Sequence, residues 1–357
     1  MFGLTGRMAL VQKAKFLSIR FLGHLLWPLA LGLTGWTLSQ LPLANIAQNI
    51  SALTWQQWLA WFGINLLIIG LGTRRWYDLI LMLKTRINFV GLVCIRQAGQ
   101  AVSFITPGPQ FGGEPLQILW LRQRDIPLEK ALLSLGLDRF YELGVNFSML
   151  LLGAVLLVIL PNTPLTGAYH ILGGLVLVVA AFAVFIWMLI RQPLWLTKRF
   201  GRVIKPWAEH PRLLKIKLAW QSLNNDLRLA LQTQKSVFFN SIVLSLLGWA
   251  ALIAELVLLL KFVGISIDPA GLVLILVAIR LALLLPIPGG VGTLEASILW
   301  SFQSLNLPPS AAIGLIALMR LRDAVVLLSG LACLRWVGKK SPDNDSESAP
   351  ALPANVE

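Results

Sequence analysis

The sequence predicts an all-α polytopic membrane protein: six transmembrane helices plus two opposed re-entrant hairpins in an inverted repeat. Three observations predict it. Hydrophobic residues make up 57% of the 357-residue chain and charged residues only 13%, against about 25% charged in a soluble domain; mean hydropathy is +0.74. Two of the apolar segments are broken in the middle by Pro and Gly. Finally, Pro107, Gly108, Glu114, Pro127, Ala131, Arg139 and Glu142 recur 181 residues later as Pro288, Gly289, Glu295, Pro308, Ala312, Arg320 and Asp323, the mark of an internal repeat.

The chain opens with Arg7, Lys13, Lys15 and Arg20 before an apolar run that lacks a small-residue cleavage site. This reads as a retained first span, not a signal peptide. A helix needs roughly 20 apolar residues to cross the hydrocarbon core. Segments 22–40, 55–72, 132–160, 169–190, 236–262 and 309–336 meet that need. Segments 87–121 and 269–306 do not divide into two full spans each, because too few apolar residues follow Gly113 and Val291. Each is expected to enter and leave on one side.

Charge sets the orientation. Lys and Arg gather in 1–21, 73–86, 121–131, 191–235 and after 334, whereas 41–54, 161–168 and 263–268 contain neither. With six spans and two hairpins, every basic segment falls on one face, which the positive-inside rule makes cytoplasmic. Both termini are then inside, and the expected location is the inner (plasma) membrane. The first unit, about 22–160, starts inside and the second, about 169–336, starts outside, so the hairpins approach the midplane from opposite faces. One transmembrane domain is expected over 1–340. Residues 219–235 have helical amphipathic spacing suited to a surface position beside the basic loop. The tail 341–357 is acidic, rich in Pro and Ser, and expected to be disordered.

Several classes are excluded. The net charge of +14 sits beside hydrophobic spans with no aromatic-interleaved basic domain, so no nucleic-acid partner is expected. Cys94 and Cys333 lie in apolar stretches, and His24, His170 and His210 are scattered; no disulfide framework, metal site or cofactor is expected. There is no P-loop, nucleophile elbow or HExxH, so the chain reads as a non-enzyme that does not consume ATP itself.

The residues able to carry function are polar groups at membrane depth, which are costly unless used. In the first hairpin, Thr106-Pro107-Gly108-Pro109 ends one half-helix and Gly112-Gly113-Glu114 opens the next; the second repeats the plan with Pro288-Gly289-Gly290-Val291-Gly292 and Glu295. The first amides of a half-helix lack internal partners and suit an anion, unless the adjacent acid stabilises that terminus or the glycines serve only turns and close packing. Asp138, Arg139 and Glu142, and Arg320 with Asp323, place opposite charges three residues apart on a helix face. Local neutralisation, pairing with the hairpin acids and gating all remain open for them. The deep arginines Arg96, Arg139, Arg280, Arg320 and Arg322 stand against Glu114, Asp138, Glu142, Glu255, Glu295 and Asp323. That near balance favours a charge-paired cavity, and proton coupling through Glu114, Glu255 or Glu295 is one hypothesis for it.

The segments TPGPQFGGEPLQILWLR (106–122), LDRFYELG (137–144), LPIPGGVGTLEA (285–296) and MRLRDAVVLLSG (319–330) resemble the flippase-like transmembrane domain of lysylphosphatidylglycerol synthases and its stand-alone relatives. The resemblance spans about 20–336. It implies movement of a lipid or lipid-linked head group between leaflets, with Glu114, Asp138, Arg139, Glu142, Arg280, Glu295, Arg320 and Asp323 as candidate residues. The synthases' aminoacyltransferase domain has no counterpart here, so synthase activity is not implied. The expected partners are membrane lipids, anionic or glycolipid/hopanoid-related, and a lipid-biosynthetic enzyme. Alternatives are a scaffold that holds such an enzyme through its basic loop, and an integral-membrane enzyme acting on a lipid phosphate.

Overall fold

The computed structural model describes residues 53–106, 112–159, 235–285 and 287–339, with Val176 and Ala180 as isolated helical positions. The spans expected at 22–40 and 169–190, most of the basic loop, the tail, Pro107–Pro109 and Pro286 lie outside the described residues. Every regular element among the described residues is helical: α1 (Trp55–Met82), α2 (Phe89–Ile105), α3 (Glu114–Arg122), α4 (Leu128–Ile159), α5 (Lys235–Phe262), α6 (Pro269–Leu283), a 3-10 turn (Pro288–Gly290), α7 (Thr293–Ser304) and α8 (Pro309–Lys339).

Length separates two kinds of helix. At 1.5 Å per residue, α1, α4, α5 and α8, with 28 to 32 residues, exceed the roughly 30 Å of a hydrocarbon core. By composition as well as length, α4 and α5 could each cross it alone. The broken segments give α2 and α3 with 17 and 9 residues, and α6 and α7 with 15 and 12, each too short. Asn88 caps α2 by accepting from the Val90 amide at 3.0 Å. Asp268 caps α6 through Gly271 with Pro269 in the first turn, a placement that suits proline's missing N–H.

The repeat is visible in backbone detail. Asp125 and Asn306, 181 residues apart, both take left-handed φ, 58° and 53°. The same closing bonds flank them: the Ile126 amide donates to the Leu121 carbonyl, and the Leu307 amide to that of Phe302. Before the hairpin breaks the offset is 180: α1 and α5 begin at Trp55 and Lys235, and α2 and α6 at Phe89 and Pro269. One extra residue therefore lies in the second break.

The halves interlock. The most extensive packing is α2 on α8 and α1 on α5, and α4 packs on α6 in the relation matching α2 on α8. The α1–α5 contact is reciprocal. Asn65 donates to Glu255 at 3.1 Å and Arg75 to Ser245 at 2.9 Å, and the 180 offset maps Asn65 onto Ser245 and Arg75 onto Glu255. Reciprocity of this kind marks an isologous, approximately two-fold contact. The outer face of α1 exposes Leu59, Phe62 and Leu66, and α5 exposes the equivalent Phe239, Ile242 and Leu246. Apolar stripes at helical spacing on the outside of a bundle belong against lipid.

Glycine permits the closest approach of α8 to α2. A Cβ on Gly330 would meet the Gln97 carbonyl at 2.5 Å and Ala101 at 2.6 Å, whereas one on Gly63 meets nothing. Gly330→Leu is therefore expected to cost about 1–3 kcal/mol through overpacking, seen as a lower melting temperature of the purified chain, while Gly63→Leu leaves it within a degree or two.

Candidate functional site

The second hairpin shows how broken backbone is stabilised. Gly289, Gly290 and Gly292 take φ of 60°, 61° and 85°, conformations that glycine adopts without the Cβ penalty. The turn leaves carbonyls facing inward, and Arg320 on α8 satisfies them. Its Nη1 donates to the Gly289 carbonyl at 2.9 Å and its Nη2 to that of Gly290 at 3.2 Å. The same guanidinium holds Glu295 through Nε at 2.7 Å and Asp323 at 3.1 Å. Arg320 thus joins both sides of the break and is only 4% exposed.

The first hairpin carries the matching lock. Arg139 on α4 pairs with Glu142 at 2.9 Å and with Glu114 on α3 at 3.2 Å. The Arg139 Nε and Glu114 Oε1 are not aligned as a hydrogen bond, so this lock is looser than its counterpart. Local neutralisation and pairing with the hairpin acid, alternatives from sequence, occur together in both halves. Gly113 serves packing here: a Cβ would overlap the backbone of Gly99 on the opposite arm.

The amides expected to be open to an anion are engaged. The Gly113 amide donates to Ser103 Oγ at 2.9 Å, and the Gly292 amide to Glu295 at 2.8 Å. At Gly113 this corrects the expectation of a free half-helix terminus, because Ser103 satisfies it first; at Gly292 the adjacent acid does so, the alternative that the sequence left open.

A second correction concerns Arg75. Sequence placed it in a basic segment on the cytoplasmic face, but α1 continues to Met82 and Arg75 is buried on its inner side. Arg75 Nε and Arg96 Nη1 both hold Asp138, at 2.7 and 2.9 Å, and both lie 3.7 Å from Glu142. Arg74 is the surface residue of the pair, bonded to Asp78. With Arg75 included, six arginines face six carboxylates. In the second half Glu255, at the position equivalent to Arg75, holds Arg322 at 3.1 Å, and Arg322 also reaches Asp323 at 3.2 Å. The two halves use equivalent positions with opposite sign.

These groups surround one cavity of about 400 Å³ between α1, α2, α4, α5, α6 and α8. Arg139, Glu142, Arg280, Gly289, Gly290 and Asp323 line it. Glu114, Asp138, Glu295 and Arg320 stand behind the wall as partners of lining or turn groups; Gly108 lies outside the described residues. Phe104 at the end of α2 abuts Gly289, where a Cβ would meet its ring at 2.8 Å, so the two hairpins touch at the cavity's edge. Sequence reasoning missed Arg75, Asn65 and Trp249 as cavity groups. The 180 offset that maps Arg75 onto Glu255 was the available signal for the first.

A model of the family described as lysylphosphatidylglycerol synthase TM region matches residues 18–330. The chain belongs to that family. Membership makes it a membrane protein with a lipid-related role, and the charged cavity lies wholly within the matched region. No curated protein and no solved structure matches the chain.

Asp138 is 1% exposed and answers two arginines. Asp138→Asn would leave two buried cations short of a counter-charge, and breaking such a network costs about 3–5 kcal/mol. Thermal unfolding in detergent should show a large loss of stability, whereas Asp78→Asn, which touches only the pair with the exposed Arg74, should show a much smaller one.

Proposed function

We propose that this protein moves a lipid, or a lipid-linked head group, between leaflets of the inner membrane, and that it does so without catalysing a reaction. One observation carries the reading: the broken helices of two interlocked repeats meet beside a charged cavity, each secured by an equivalent arginine lock. Discontinuous helices around a central site are the organisation of many secondary transporters. Polar groups in that cavity suit a head group, and the apolar stripes outside suit the acyl chains.

In this reading both termini are cytoplasmic and the hairpins enter from opposite faces. Alternating access opens one hairpin while the other stays locked. Arg139 with Glu114 and Arg320 with Glu295 are the two gates, and the unequal tightness of the pairs supports a state with the second gate closed. Opening a gate leaves its arginine on Glu142 or Asp323, which it already holds, and frees the hairpin acid. The absence of nucleotide-binding motifs from the sequence favours passive or ion-coupled exchange over ATP-driven movement.

Reconstitution in liposomes with head-group-labelled lipids tests this. Wild-type protein should exchange label between leaflets at least about tenfold faster than a Glu114→Gln/Glu295→Gln variant, the scale of losing charge-assisted pairs. Equal rates for the two proteins would contradict the proposal.

A further inference from the structure

The chain's two cysteines lie in opposite halves of the repeat, and the fold brings them together. Cys94 is on α2 and Cys333 on α8, the helices that pack on one another most extensively. These helices run antiparallel. Phe104 of α2 abuts Gly289, which Arg320 of α8 holds, and earlier on α2 Gln97 and Ala101 meet Gly330, later on α8. One turn beyond that closest approach, before Gln97 and after Gly330, stand Cys94 and Cys333. Their side chains interact directly. Both rest half-buried on the same apolar cluster, and both are free thiols.

Packing alone does not call for this pair. In the matching contact of α4 on α6, the 181 and 180 offsets place Leu152 and Leu274 at the equivalent positions, so the contact does not require thiols. What the thiols add is redox chemistry. A disulfide needs closely spaced backbones with facing Cβ atoms, and two helices drawn together at Gly330 provide that spacing. Access is from the apolar side. Val90, one turn before Cys94, and Trp336, one turn after Cys333, are both exposed. A hydrocarbon-soluble oxidant can approach there, whereas a charged, water-borne one would have to be desolvated first.

We propose that Cys94 and Cys333 form a reversible disulfide on reaction with a lipid hydroperoxide, and that the bond fastens α2 to α8. One sulfur attacks the terminal peroxide oxygen and becomes a sulfenic acid. The O–O bond breaks, and the thiol proton leaves with the lipid as its alcohol. The second sulfur then attacks the first, the S–O bond breaks, and the second thiol proton leaves in water. Two thiols and one hydroperoxide thus give one disulfide, one lipid alcohol and one water, the thiols supplying both electrons. A dithiol reverses the bond by exchange. The disulfide joins the leading arm of the first hairpin to the helix that carries Arg320, so the halves can no longer shift at their largest contact. Oxidation therefore arrests leaflet exchange, and this consequence alone rests on the transport reading above.

The experiment uses the full chain in phosphatidylcholine liposomes, exposed to phosphatidylcholine hydroperoxide or, as control, to the corresponding lipid alcohol. Hydroperoxide should link the Cys94 and Cys333 peptides within one chain, with the loss of two hydrogens. The linked chain, extracted into detergent, should melt about 5–10 °C higher than the reduced one, and dithiothreitol should reverse both changes. Cys94→Ser and Cys333→Ser should each stop at a sulfenic acid that dimedone traps, with no gain in melting temperature. Unaltered thiols, or a link formed only between separate chains, overturns the proposal. Labelled-lipid exchange by the same vesicles should fall to the protein-free rate on oxidation and recover with dithiothreitol. In the Cys94→Ser/Cys333→Ser chain it should not respond to hydroperoxide. A linked chain that exchanges lipid as fast as the reduced chain would overturn the arrest. Linkage in vesicles that exchange no lipid in either redox state would remove the transport reading and leave the thiol site standing.

Discussion

Arg320 is the group on which the rest of this architecture depends. Its guanidinium sits deep in a bundle built for hydrocarbon, where an unpaired charge and an unsatisfied carbonyl are each costly. The protein places both costs at one point and lets them cancel. The 3-10 turn exposes the Gly289 and Gly290 carbonyls, Arg320 satisfies them, and Glu295 and Asp323 neutralise Arg320. Thr293 shares the Gly290 carbonyl and Glu295 also holds the Gly292 amide, so the break and the arginine support one another through the same few groups. Arg139 performs the ion-pairing half of this task for the first hairpin.

Two-fold likeness supplies the frame, and departures from it supply the chemistry. Arg75 and Glu255 occupy equivalent positions on α1 and α5 but carry opposite charges, so the first half gathers two arginines on Asp138 while the second gathers Arg322 on Glu255. Gln100 and Arg280, also equivalent, differ as a neutral amide and a cation. A strictly symmetric pair of halves would present the same surface to a head group from either side. This one presents the guanidinium of Arg280 from one half and the neutral amide of Gln100 from the other, so the cavity is electrically uneven.

Much of this was legible in the chain. Apolar length located the four long helices described, and Pro-Gly breaks located both hairpins, because those signals are local. The recurrence of Glu114, Arg139 and Glu142 as Glu295, Arg320 and Asp323 singled out the residues of both charge clusters, although it left open whether they neutralise locally, pair with the hairpin acids or gate. Arg75 was hidden because a basic residue after an apolar run looks like an interfacial anchor. Only the continuation of α1 by a further ten residues turns it inward. The occupancy of the Gly113 amide was also hidden, since it depends on Ser103 from the opposing arm. The single-residue shift of the repeat across the hairpin breaks obscured the equivalence of Arg75 with Glu255, which is visible only at an offset of 180.

The account stands most directly on the opposed entry of the two halves. Arg122 and Gln303 are exposed, equivalent positions at the ends of α3 and α7. In a Cys94→Ser/Cys333→Ser background, Arg122→Cys and Gln303→Cys can be labelled singly with a membrane-impermeant maleimide, in intact cells and in inside-out vesicles. The account predicts that position 122 reacts only from the cytoplasmic side and position 303 only from the outside. Reaction of both from the same side would contradict it.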